Sequence, residues 1–444
     1  MWAWRSCLGR HRPLLLSGLR RVRHSESHLT ATAALGRDDL IGSRGYTSNP
    51  NGDPHADANR QNRAATTKRH LYVVLDDHRD GYGIHKLDLA NDDDLDGSTR
   101  RLPEPPVLRV ALPTVLDDTQ FAAVGSSIVA TSTSITRDRE EQDVSVGGVL
   151  IYDTKTAAQV VSAYLPKSLL DGCGYTAAIP AGDRLYFFES CGFERYYKYV
   201  GHGKTIFASG LHCLTAHGRD GDELWGWQPL SSSSPWCWSG KENLLMLPFD
   251  ADNIRAYAAQ SLLGGATHDH EIFVSAWDWN KATYKTFSFS TATHKWTCRG
   301  DWRLPVVGHA HYDSELDAWL GLRADGYLRL GDVTSVPEEW KESKETLFCL
   351  DEDTAAGWRH VDVKLVPMAS DEGGSEYCLM ERLRPTGNDE KNCLDNGGSC
   401  LLRLTSFCVE RDEDGEPVAT ARRRARSYSV SRYNNFFEAQ AFWM

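Results

Sequence analysis

Residues 149–166 read VLIYDTKTAAQVVSAYLP. An apolar, β-branched run leads into a polar turn with Asp153, Thr154 and Thr156; a second run follows and closes on Leu-Pro. β-branched and aromatic residues suit a pleated, half-buried surface, and Asp and Thr suit the turn because their oxygens bond nearby backbone amides. Alone this is one hairpin. The same texture recurs at 82–90 (YGIHKLDLA), 211–230 (LHCLTAHGRDGDELWGWQPL), 285–305 (KTFSFSTATHKWTCRGDWRLP), 346–367 (TLFCLDEDTAAGWRHVDVKLVP) and 400–418 (CLLRLTSFCVERDEDGEPV). Anchored at His85, Ile151, Leu214, Phe287, Phe348 and Leu402, the steps are 66, 63, 73, 61 and 54 residues. A strand, an Asp/Thr turn and a stacking Trp returning about every 60 residues, with no helix between, is the pattern of a propeller blade with long loops. Residues 70–444 therefore predict an all-β, kelch-like β-propeller of six blades, with seven as the alternative.

The surrounding chain agrees. LYVVLDD (71–77) and YGIHKLDLA form a hairpin, and few windows sustain a 3.6-residue apolar period. Of the 444 residues 41% are hydrophobic, with 14 Trp, 17 Tyr and 14 Phe, enough for a large core rich in strand formers. No apolar run approaches the length of a membrane span, so no transmembrane segment is expected. Eleven cysteines are scattered without a C-x-x-C, which disfavours structural zinc and points to buried thiols in a reducing compartment. One close pair, Cys393 and Cys400, could close a loop disulfide.

Residues 1–50 hold eight arginines, no lysine and three acids. That excess of five positive charges leaves −17 on the rest of a chain whose net charge is −12. Arginines alternating with Trp2, Trp4, Leu8 and Leu14–Leu16 read as an organellar transit peptide. Arg44, two residues before Tyr46, resembles a plant mitochondrial processing site, with cleavage after Tyr46. The expected division is a leader at 1–46, a linker at 47–69 and the propeller at 70–444. The expected location is the mitochondrion, with plastid, cytoplasm and nucleus as alternatives.

At HLYVVLDDHRDGYGIHKLDL (70–89), GHAHYDSELDAWLGL (308–322) and EAQAFWM (438–444) the sequence resembles a large, grass-expanded plant family known only as domain of unknown function 1668. The resemblance implies a kelch-like propeller and a plant source. It transfers no activity and no site residue.

Candidate chemistry is sparse. His309 and His311 in GHAHYDSELD lie on one strand face with Asp313 and Glu315, and are the weak candidates for a metal, although core packing near Leu316 and Trp319 explains them as well. His268 and His270 in THDHE read as a polar turn. No serine sits in a G-x-S-x-G elbow, and GHGKT (201–205) lacks the long glycine-rich loop that cradles phosphate. The paired acids at 76–77, 92–94, 140–141 and 351–353 read as solvated turns. ARRRARSYS (421–429) could serve nuclear targeting or a basophilic kinase; the simpler reading is an outer-edge strand whose arginines block further pairing. The negative body disfavours nucleic acid. Trp225, Trp227, Trp277 and Trp279 read as core, while Trp236 and Trp238, in a Ser-Pro loop, are the candidate binding residues. The resulting expectation is a monomeric, non-catalytic scaffold for a protein partner, without cofactor. The alternatives are a lyase or glycosidase in the central cleft, and a substrate-recognition subunit of a ubiquitin ligase, for which no F-box pattern precedes residue 70.

Overall fold

Short apolar runs punctuated by Gly and Asp fold as hairpins, and in the computed structural model nearly all described regular structure is strand. The structure describes residues 69–76, 81–89, 99–111, 118–137, 143–162, 175–189, 210–219, 222–228, 245–261, 269–278, 281–348, 357–369, 375–386, 399–422, 425–431 and 438–444, with positions 165, 166, 169 and 230. Arg44, Tyr46, Trp236, Trp238, Trp279, His268 and Cys393 lie outside the described residues.

The first blade takes β1 (Leu71–Asp76), β2 (Tyr82–Leu87) and, after the two-residue β3 (Arg100–Arg101), β4 (Leu108–Val110). The second is β5 (Asp118–Val124), β6 (Ser127–Arg137), β7 (Asp143–Asp153) and β8 (Gln159–Ser162). The third is β9 (Tyr175–Ala181), β10 (Arg184–Glu189), β11 (Gly210–Arg219) and β12 (Asp222–Gln228), with β13 (Leu245–Met246) beside β11. The fourth is β14 (Ile254–Ser261), β15 (His270–Asp278), β16 (Thr283–Ser290) and β17 (Lys295–Gly300). The fifth is β18 (Gly308–Asp313), β19 (Ala318–Leu322), β20 (Tyr327–Gly331) and β21 (Lys341–Thr346). The sixth is β22 (Trp358–Ala369), β23 (Ser375–Pro385), β24 (Ser399–Arg411) and an outer strand broken into β25 (Pro417–Thr420) and β26 (Arg426–Ser431). Finally β27 (Ala439–Trp443) returns to pair with β1, Leu71 opposite Trp443, and becomes the innermost strand of the first blade.

Within each blade the strands run up and down from the axis outward. Six apolar seams then close the circle among the described residues. Ile84 and Phe121 join the first two blades, Ile151 and Phe187 the next pair, and Phe188 and Val274 the third and fourth. Phe273 and Trp319 follow, then Leu320 and Phe407, and Val73 with Leu402 returns to the start. Both faces of a blade are therefore buried. That is why LYVVL is apolar at every position: Leu71, Val73 and Leu75 face the sixth blade while Tyr72 and Val74 face the second. The molecule is a β-propeller with six described blades. No helix among the described residues is long and apolar enough to cross a membrane.

Five of the six sequence anchors, His85, Ile151, Leu214, Phe287 and Leu402, fall on the third strand from the axis in their blades. Phe348 does not; it follows β21. The fifth blade's third strand is β20, which opens YLRLGDVTSVPEEW. There the Asp332 carboxylate accepts from the Thr334 amide and hydroxyl at 2.8 and 2.9 Å, and Trp340 is buried over Gly331, where a Cβ would come within 2.7 Å of the indole. The signature is intact, but the blade is short, so an even spacing overshot it.

ARRRARSYS is not an outer edge. β26 has β24 on one side and β3, in parallel, on the other. Arg426 donates to the Asp88 and Leu89 carbonyls at 2.8 and 3.0 Å. β3, between β2 and β4 in sequence, thus lies on the sixth blade, and the first and sixth blades are joined at the rim as well as at the axis.

Candidate functional site

Six inner strands crowd around one axis, and five of them carry alanine before their final residue. Alanine recurs at 122 and 123 in β5, 177 and 178 in β9, 256, 258 and 259 in β14, 310 in β18, and 439 and 441 in β27. One sector departs from this rule. β14 and β18 pair in parallel, Tyr257 opposite His309. On one face Ala256, Ala258 and Ala310 pack into the seam between blades four and five. Alternation sends Tyr257, His309 and His311 to the other, axial face.

The three rings form a contiguous group. Tyr257 and His309 stack with centroids 4.7 Å apart and planes at 22°. His309 and His311 are 4.0 Å apart, tilted by 56°. The His311 Nε2 lies 3.2 Å from the Leu365 carbonyl of β22; a carbonyl only accepts, so that nitrogen carries the proton and Nδ1 keeps its lone pair. Loss of bulk water holds His309 well below the usual imidazole range, and the adjacent His311 lowers it further. The same loss of water brings His311 to about 4, against a smaller opposite pull from the Leu365 carbonyl. It pushes the Tyr257 hydroxyl up to about 12. The group is therefore neutral across the physiological range.

Lys364 stands on the neighbouring β22. Its amine donates to the Ala439 carbonyl at 3.0 Å and lies 3.7 Å from Asp362. Crowding by the surrounding inner strands lowers its pKa, partly opposed by Asp362, although the side chain keeps 42% of its exposure.

The buried acids are engaged elsewhere. Glu189 meets His212 at 3.1 Å within blade three. Glu381 meets His360 at 2.9 Å and Arg403 at 3.5 Å within blade six. Asp313, third on the His309–His311 face, accepts from the Tyr377 hydroxyl at 2.7 Å and from the Glu315 and Leu316 amides at 3.0 Å each. It is a cap and a cross-blade tie. Glu315 lies beyond the strand and is exposed, so the expected four-residue face is reduced to two imidazoles. Asp412, Asp414 and Glu416 cluster in an exposed turn, but Lys344 sits among them at 2.7, 3.0 and 3.5 Å.

Other expected positions find structural places. His270 is no polar turn: it begins β15, buried, with its ring where a Cβ on Gly182 would lie 2.2 Å from Nε2. Gly182, at φ +63°, supplies both the left-handed turn and the space. Trp225 and Trp227 pack against the seam between blades two and three, and Trp277 meets Tyr284 edge-on at 4.8 Å. Tyr257 and Lys364 were not singled out by sequence reasoning. The alanines of IRAYAAQS mark β14 as an inner strand and could have pointed to Tyr257, the large polar residue among them, whereas WRHVDVKLVPMA carries no such signal for Lys364.

No curated protein matches the chain. Among solved structures it is similar to a chain of a nidogen/laminin complex (10% identity, TM-score 0.37, covering 82% of this chain and 100% of that one). It is also similar to YjhT (12%, 0.38, covering 76% and 90%) and to an exo-1,5-α-L-arabinanase from a bovine ruminal metagenomic library (10%, 0.30, covering 68% and 95%). A family profile described as a protein of unknown function, DUF1668, matches residues 68–428, most of the chain and nearly all of the propeller. The chain belongs to the DUF1668 family.

Proposed function

We propose that the chain is a non-catalytic interaction propeller that binds a protein partner and works inside the mitochondrion. The observation that carries the non-catalytic reading is the state of the buried carboxylates. Glycosidase or lyase chemistry needs acids presented to a cleft, whereas Glu189, Glu381 and Asp313 are each committed to a histidine or tyrosine within a blade or across a seam. Propellers offer their loops on two rigid rims, and Trp236 and Trp238, in the sequence between β12 and β13, are aromatic residues of the kind that dominates interface energy. The acidic body favours a partner with a basic surface. The Arg-rich leader supports import, and the resemblance to a grass-expanded family supports a plant source.

The test is proximity labelling in the native cells with three chains: intact, lacking residues 1–46, and carrying Trp236→Ala with Trp238→Ala. The intact chain is expected to label mitochondrial neighbours, the truncated chain cytosolic ones, and the tryptophan variant to lose its strongest neighbour while unfolding at the same temperature. Cytosolic labelling by the intact chain would remove the mitochondrial assignment. An unchanged neighbour set in the tryptophan variant would remove Trp236 and Trp238 as the anchor.

A further inference from the structure

Two imidazoles set side by side against a tyrosine on the innermost strands need a reason, and packing supplies half of one. Tyr257 fixes the His309 plane by stacking, yet among the described residues nothing hydrogen-bonds either His309 ring nitrogen. His311 is bonded through Nε2 alone, to the Leu365 carbonyl. A ligating histidine has that arrangement: one ring N–H donates to a backbone carbonyl, which sets the tautomer and leaves the other nitrogen basic and free.

We propose that His309 and His311 together bind one divalent transition-metal ion at the axial wall. Both rings come from one strand face, two residues apart, and their centroids are 4.0 Å apart. An ion held by both at zinc–nitrogen distances of about 2.0–2.1 Å would part the centroids by roughly 0.5–1 Å, a small rotation of either side chain. Among the described residues the protein donors are nitrogen only, because Asp313 is turned to Tyr377 and the following amides. Such a pair selects copper, nickel or zinc over calcium and magnesium, which take oxygen. Remaining coordination positions would face the axis, open to water or to a donor brought by a ligand. The site stands apart from the partner-binding reading, and either can fail alone.

The test is equilibrium dialysis of the full chain, freed of metal by chelator, against Zn²⁺ and, as the hard-ion control, Ca²⁺. Wild type, His309→Gln, His311→Gln and the double variant are compared in a Cys298→Ser background that removes an exposed thiol. About one zinc per chain is expected at pH 7, no calcium, and at least about tenfold weaker zinc binding in each single variant. Thermal unfolding reports whether the variants are folded. If they are not, the ring nitrogen shifts of His309 and His311 in wild type decide: zinc is expected to move both and to leave the His311 Nε2 bond to the Leu365 carbonyl in place. No stoichiometric zinc, unchanged binding in a folded double variant, or unmoved ring shifts at both histidines would each overturn the proposal.

Discussion

The Asp313 carboxylate accepts a hydrogen bond from the Tyr377 hydroxyl at 2.7 Å across the seam between the fifth and sixth blades. Both side chains are buried, and the same carboxylate caps the turn after β18. Tyr377→Phe removes one donor and is expected to cost about 1–3 kcal/mol. Asp313→Ala also strips the two turn amides and should cost more. Urea unfolding measures both. The double variant should cost less than the sum of the singles, since the two share one bond.

The two axial histidines predict a pH dependence. Unfolded imidazoles gain protons near 6.5, whereas in the fold His311 holds out to about 4 and His309 is also well lowered. Between these limits the unfolded chain binds more protons, so this contribution is complete above about pH 6.5 and is lost as pH falls toward 4. Allowing for water near the rings, His311 should cost roughly 1–2 kcal/mol between pH 7 and pH 5, and His309 adds to the loss in the same direction. The pair titrates as a unit, so the slope belongs to both. Unfolding midpoints at the two pH values, in wild type and in His309→Gln/His311→Gln, check this; an equal pH slope in the variant would refute it.

Gly321 is required by contact. A Cβ there would lie 2.3 Å from Val306 Cγ1, and Val306 is itself buried beside Trp319. Gly321→Ala should destabilise by about 1–3 kcal/mol through overpacking. Adding Val306→Ala should return part of that loss, read as a rise in melting temperature over the single variant.

Arg426 fastens the rim between the first and sixth blades through the Asp88 and Leu89 carbonyls. Arg426→Ala is expected to cost about 1–3 kcal/mol and to speed amide exchange at residues 88–101 before the inner strands. Deleting 438–444 removes the partner of β1 and should abolish cooperative unfolding, because Leu71, Val73 and Leu75 lose their innermost neighbours.

These tests divide what the sequence displayed from what it hid. Third strands were legible because each couples an apolar run to an Asp or Thr turn, a local signal. Phe348 misled because TLFCLDEDT carries that signal although Phe348 follows β21, while YLRLGDVTSVPEEW carried it earlier than an even spacing allows. The face holding His309 and His311 was legible from alternation alone, but its composition was not: whether Asp313 joins them depends on Tyr377, 64 positions away. Arg426 looked like an edge guard because the parallel pairing with Arg100 and Arg101 crosses most of the chain.

The pairing of Leu71 with Trp443 has a consequence in time. Those residues are roughly 370 positions apart, and contacts at such separation form late and slowly. Until residues 439–443 arrive, β1 presents an unpaired edge and an uncovered apolar face, as aggregation-prone intermediates do. A chain of this design spends its youth as an open arc in need of shelter. Once fastened at axis and rim together, it opens again only when both fastenings release at once, which makes the native ring long-lived as well as stable.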